Sequence, residues 1–149
     1  TNLAVVLING SGGAEYRRIP LSTPTNTVLP NGRYLVIAPA TLAVASGALL
    51  VTSPAAQDLI QNGAPDGLAL IDTSTQTVID ALSYEGSITA ASITGFLPTS
   101  LVEGTATTVQ DSNAVEGTLC RRASNGRDTN DASRDWSLCP APTPGAANP

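Results

Sequence analysis

What most narrows the fold of this chain is a two-residue period in its apolar positions, broken every few residues by Gly, Pro, Asn or Asp. Residues 67–72 (Gly-Leu-Ala-Leu-Ile-Asp), the polar link Thr-Ser-Thr-Gln at 73–76, and residues 77–84 (Thr-Val-Ile-Asp-Ala-Leu-Ser-Tyr) spell a β-hairpin. Strict alternation in the second arm places Val78, Asp80, Leu82 and Tyr84 on one face, with Ile79, Ala81 and Ser83 on the other. An earlier branched apolar run at 2–9 stops at Gly10-Ser11-Gly12-Gly13 and resumes at 15–19, so residues 2–20 read as a second hairpin. The Asn9-Gly10-Ser11 triplet matches a glycosylation sequon, and serves equally as the turn itself.

The rest is shorter and less regular. Residues 33–38 form a strand pattern closed by Pro39. Between 41 and 54 an Ala-rich half suits a helical turn, while 49–52 (Leu-Leu-Val-Thr) suits a strand; 57–62 fits a short turn or strand. Further strands are expected at 101–103, 107–110 and 118–122. The Pro-rich end at 140–149 cannot hold a central strand, which leaves one domain over 1–139 and a C-terminal tail. No stretch sustains a 3.6-residue period. Short strands punctuated by turns predict an all-β sandwich or barrel.

Composition removes whole classes of chemistry. The chain has no His, and all seven of its basic residues are Arg, so Lys is absent too. Without His there is no Ser-His-Asp or Cys-His arrangement and no HExxH zinc site; without Lys there is no Walker A loop and no Schiff base. A paired-carboxylate glycosidase needs aromatic platforms, and one Trp, three Tyr and one Phe supply few. The expectation is that the chain is not an enzyme. A net charge of −5 argues against nucleic acid as a partner. Arg17-Arg18 and Arg121-Arg122 are its basic doublets, and neighbours on a strand point to opposite faces. No apolar run approaches the ~18–20 residues of a membrane span. Charged residues make up 13%, about half the usual ~25%, which suits an extracellular surface. The opening Thr-Asn-Leu, without Met, reads as a processed terminus.

Cys120 and Cys139 stand 19 positions apart. A structural disulfide, two buried thiols and a redox pair are all compatible with that spacing, and the first would place the chain in an oxidising compartment. Trp136 is expected to anchor the core near the cysteines. Asp128, Asn130, Asp131 and Asp135 gather hard oxygen ligands of the kind Ca²⁺ takes, although the EF-hand Gly and Glu are missing. The same residues make Asx turns. Asp66-Gly67 likewise reads either as a ligand pair with Asp72 or Asp80, or as an Asx-type turn leading into the strand.

Three pieces in order resemble the bacterial lamin-tail domain: residues 61–72 (Gln-Asn-Gly-Ala-Pro-Asp-Gly-Leu-Ala-Leu-Ile-Asp), residues 78–86 (Val-Ile-Asp-Ala-Leu-Ser-Tyr-Glu-Gly), and Asp135-Trp136 followed by 142–148. The Asp/Asn-rich stretch 127–131 sits where that family often carries such a loop, and the likeness runs from about Leu3 onwards. The resemblance implies an immunoglobulin-like β-sandwich acting as a non-catalytic interaction or structural module of a secreted bacterial protein. It implies no cofactor and fixes no ligand. Members of that family usually begin with an acidic segment supplying the first strand or two, and none precedes Thr1. The resemblance therefore implies an open edge beside residues 3–9, whose missing strands come from a protein partner (another copy of the chain or an N-terminal fragment) or were lost to trimming. The alternative function is a repeating subunit of an extracellular filament or surface assembly.

Overall fold

The computed structural model describes residues 1–22, 28–53, 59–61, 63–110, 114, 117–122 and 126–149. Its elements are β1 (Leu3–Asn9), β2 (Ala14–Pro20), β3 (Leu35–Ala38), β4 (Leu49–Thr52), β5 (Asp66–Asp72), β6 (Thr77–Tyr84), β7 (Thr118–Arg121), the single-turn helix α1 (Ala132–Asp135) and β8 (Trp136–Cys139). Among the described residues the regular structure is all β apart from that turn. Both hairpins expected from alternation form: β1–β2 and β5–β6 are antiparallel pairs, and Asp72 closes the second turn by accepting from the amides of Ser74 and Thr75.

A four-stranded sheet in the order β2-β1-β5-β6 organises the molecule. Its centre is β1, and this corrects the expectation of an open edge beside residues 3–9. β1 pairs with β2 on one side and with β5 on the other along its whole length. Donation from Leu21 N to Leu3 O and from Thr73 N to Asn2 O fixes the phase of the ladders, so odd-numbered amides of β1 turn towards β2 and even-numbered ones towards β5. The reason lies in the strand itself. Leu-Ala-Val-Val-Leu-Ile is apolar on both faces, as a central strand must be, whereas an edge strand tends towards charge and proline. β2 has that character. Tyr16 is an extra residue bulged between the Leu7–Arg17 and Ile8–Glu15 pairs, Pro20 has no amide to offer, and Glu15 N already donates to Ser92 O.

Both faces of the sheet are covered. On one, Ala4, Val6, Ile8, Ala69, Ile71 and Ala81 pack against Ile88, Ala91, Ile93 and Leu101 from an irregular segment. On the other, Leu7 and Ile19 pack against Val51, with Leu35 and Ile37 alongside. Each fully buried Ile or Leu contributes about 1.5–3 kcal/mol, so these two clusters hold the sheet together. β3 and β4 form a parallel pair, the crossover between them running through tight turns at Pro39–Leu42 and Ala45–Ala48. The described part of the 41–54 stretch, residues 41–53, thus resolves as turns followed by strand. β7 and β8 form a separate antiparallel hairpin that carries the cysteines.

Several expectations need correcting. A bulge between Leu70 and Ile71 on one side and Val78 and Asp80 on the other makes Ile79 the extra residue. Val78 therefore joins Ala81 and Ser83 over the first cluster, and strict alternation misassigned it. Residues 101–103 and 107–110 are not strands. Leu101 and Thr107 are buried singly, and the backbone bonds of this stretch go to scattered partners such as Ile88 O and the Thr107 hydroxyl. Strand 33–38 begins only at Leu35. Asp66 is a buried member of β5 opposite Tyr84, not a turn residue. Half of the 57–62 reading, residues 57, 58 and 62, falls outside the described residues. The tail is tied down: Ala45 N donates to Pro144 O, and Asn148 Nδ2 to Arg121 O.

Candidate functional site

The acidic loop after β7 is built from local turn chemistry. Asp131, in extended conformation, caps α1: its carboxylate accepts from Ser133 N at 3.1 Å and from the Ser133 hydroxyl at 2.6 Å. The Ser133 hydroxyl, opposed by burial, holds its carboxyl below the ordinary aspartate range. Asp135 is almost wholly enclosed, with a side chain 2% exposed. Burial alone would raise its pKa, but hydrogen bonds from the Thr129 amide (2.6 Å) and hydroxyl (2.9 Å), with Arg127 at 3.3 Å, leave it lowered. Asp128 accepts from Asn130 N and pairs with Arg121, while Asn130 sits at φ 53°. The four residues named for Ca²⁺ therefore lie in one loop, with the three carboxylates aimed at separate internal partners. Among the described residues no group of three or more His, Cys, Asp or Glu is placed to hold a metal.

The structure brings Cys120 and Cys139 together as a disulfide with a Cα–Cα distance of 6.0 Å, near the middle of the usual range. Within the hairpin it closes, Arg121 and Trp136 are paired across the strands, and the guanidinium lies 5.2 Å from the indole centroid. Arg121 also reaches Asp80 on β6 and Asp128 in the loop, each at 3.2 Å. One side chain thus fastens the disulfide hairpin to the central sheet. Trp136 is half-buried on β8, outside both hydrophobic clusters, and Arg122 Nε donates to its carbonyl at 2.9 Å. The Arg doublets do diverge: Arg18 pairs with Glu15 at 2.7 Å, while the neighbouring Arg17 Nε is buried without a hydrogen bond.

Sequence reasoning did not anticipate Glu103. The backbone around it is held by Ala132 N donating to Glu103 O at 2.9 Å, and Gly104, at φ 56°, passes so close to Asn130 O that a Cβ there would lie 2.6 Å from it. The Glu103 carboxyl is partly enclosed and within electrostatic range of Asp80, Asp128 and Arg121. Burial first, then the charge and hydrogen bond of Asp80 and the charge of Asp128, raise its pKa above 4.5, with Arg121 opposing. No local motif marked it, because the contact depends on a backbone path that alternation misread as strand.

Between the β5–β6 half of the sheet and the β7–β8 hairpin lies an apolar cleft of about 330 Å³, lined by Leu68, Leu82, Tyr84, Leu119 and Trp136. Its size is at the small end for ligand sites. The Asn9 sequon asparagine is engaged in its turn, accepting from Ser11 N at 2.9 Å and donating to Gln61 Oε1 at 2.6 Å. Among the described residues no helix is long and apolar enough to cross a membrane. Comparison with protein-family models, with curated proteins and with solved structures finds no match to this chain.

Proposed function

We propose that the chain is a non-catalytic interaction or structural module of a secreted protein, an immunoglobulin-like β-sandwich of lamin-tail type. The observation that carries this reading is where its charged side chains go. Glu15 serves Arg18 and Thr94, Asp80 and Asp128 serve Arg121, Asp131 caps α1, and Asp135 serves Thr129 and Arg127. An acid–base catalyst needs such a group within reach of substrate; here the same groups are committed to holding loops and the hairpin in place. The disulfide supports an oxidising compartment, and the two covered sheet faces support the sandwich.

Fractionation of the producing cells tests the location: the account expects the chain outside the cytoplasm with its bridge oxidised, and a reduced cytosolic pool would overturn it. Turnover tests the non-catalytic part. Rates on ester, glycoside, phosphoester and peptide substrates should stay at background, and any turnover abolished by Asp135→Asn or Glu103→Gln would refute it. A second reading, a repeating subunit of an extracellular assembly, draws on the 85% exposed Leu97, a side chain that a neighbouring copy would cover. Negative-stain images of native material separate the two: ordered fibres support the assembly, dispersed particles the module.

A further inference from the structure

An asparagine followed by glycine is open to attack from its own backbone: the glycine nitrogen reaches the asparagine Cγ with no Cβ in the way. The sequence holds four such pairs, Asn9-Gly10, Asn31-Gly32, Asn62-Gly63 and Asn125-Gly126. The first two lie wholly within the described residues, and the fold treats them oppositely. Asn9 ends β1, paired with Ala14 on one side and Asp66 on the other. Its Oδ1 accepts from Ser11 N at 2.9 Å, its Nδ2 donates to Gln61 Oε1 at 2.6 Å, and Gly10 N donates to Pro65 O at 2.9 Å. Gly10 lies so close to Pro65 that a Cβ there would collide with it. The attacking nitrogen and the carbon it must reach are both held by hydrogen bonds that ring closure would break.

Asn31 and Gly32 occupy the central positions of an exposed turn, closed by Arg33 N donating to Pro30 O at 3.1 Å. Gly32, at φ 75°, has nothing within 4 Å of where a Cβ would stand. Among the described residues, neither the Asn31 side chain nor the Gly32 amide has a hydrogen-bond partner. We propose that Asn31 is a site of spontaneous hydrolytic modification in the folded chain, converting to aspartate and isoaspartate, while the fold protects Asn9. Gly32 N gives up its proton and bonds to Asn31 Cγ; the Cγ–Nδ2 bond breaks, and Nδ2 leaves as ammonia with that proton. Water then opens the succinimide. Opening at the side-chain carbonyl leaves aspartate, and opening at the backbone carbonyl leaves isoaspartate, with the chain continuing through Cγ. Either product adds a negative charge next to Arg33.

Trypsin cuts after Arg and so separates the two asparagines onto peptides 1–17 and 19–33. The intact, disulfide-closed chain is aged in mildly alkaline buffer, digested and read by mass spectrometry. Peptide 19–33 should gain the mass of amide-to-acid exchange at least about tenfold faster than peptide 1–17, which must first break the three hydrogen bonds at Asn9 and Gly10. Fragmentation should place the change on Asn31 and not on Asn26 of the same peptide. In urea, with the bridge reduced, the two peptides should convert at comparable rates. Asn31→Gln should leave peptide 19–33 unchanged over the same period. Equal rates in the folded chain, the same rate ratio in urea as in the fold, or a folded peptide 19–33 that stays intact while the unfolded one converts would each overturn the proposal.

Discussion

Replacing Leu101 with Ala tests whether the irregular segment over the sheet is core or covering. Leu101 is 0% exposed, and its Cδ1 fills the space over Gly67, where a Cβ would lie 2.7 Å from it. The substitution removes Cγ and both Cδ atoms, about 2.4 kcal/mol of transfer free energy at ~0.8 kcal/mol per carbon. The neighbours that would have to close the gap, Ile88, Ala69 and Ile71, are pinned by the sheet or by the Leu101 N to Ile88 O bond, so a residual cavity adds about 1–2 kcal/mol. The expected loss is thus about 3–4 kcal/mol, a large part of the ~5–15 kcal/mol typical of a domain. In urea, with a slope of about 2 kcal/mol per molar, the midpoint should fall by roughly 1.5–2 M with the slope unchanged. Leu97→Ala, four residues earlier but 85% exposed, should move it by less than ~0.5 kcal/mol. A Leu101→Ala loss below about 1 kcal/mol, or equal effects at the two sites, would refute the placement of this segment as a core layer.

Three further outcomes are expected. Replacing Cys120 and Cys139 together by Ala should lower stability by about 3 kcal/mol, or roughly 6–12 °C in Tm, on the loop-closure argument for their separation of 19; calorimetry of the two forms checks this. Glu15, Asp72, Asp131 and Asp135 all have folded pKa values below their ordinary ones, so their contributions are present above the ordinary carboxylate range and lost as pH falls through the folded values. Urea midpoints should accordingly fall on acidification below about pH 4, and less steeply in Glu15→Gln. Because Asp128, Asp131 and Asp135 already serve internal partners, adding EDTA or millimolar Ca²⁺ should leave the melting midpoint unchanged; a clear rise with Ca²⁺ would restore the loop as a cation site.

The hairpins were legible because their signal is local: alternation flanking Gly10–Gly13 and the polar 73–76 link specifies each arm and its turn. Pairing between hairpins is not local. Nothing within residues 3–9 names β5 as a neighbour, although a run apolar on both faces is what a central strand requires. The bulge at Ile79 was invisible for a different reason, since one extra residue leaves the composition of β6 intact while moving Val78 across the sheet. At the candidate site the disulfide was readable from residue type, whereas Trp136 lies outside both hydrophobic clusters. Arg121 was seen only as part of a doublet, and Glu103 not at all, because their roles arise from segments far apart in sequence.

Amide hydrogen exchange along β1, read residue by residue by NMR, tests the sealed central strand most directly. With ladders on both sides, the amides of residues 4–8 should form an unbroken run of slow exchange, even-numbered ones held by β5 and odd-numbered ones by β2. Alternating fast and slow amides along that run would show one side of β1 open to solvent or to another chain, and would contradict the fold described above.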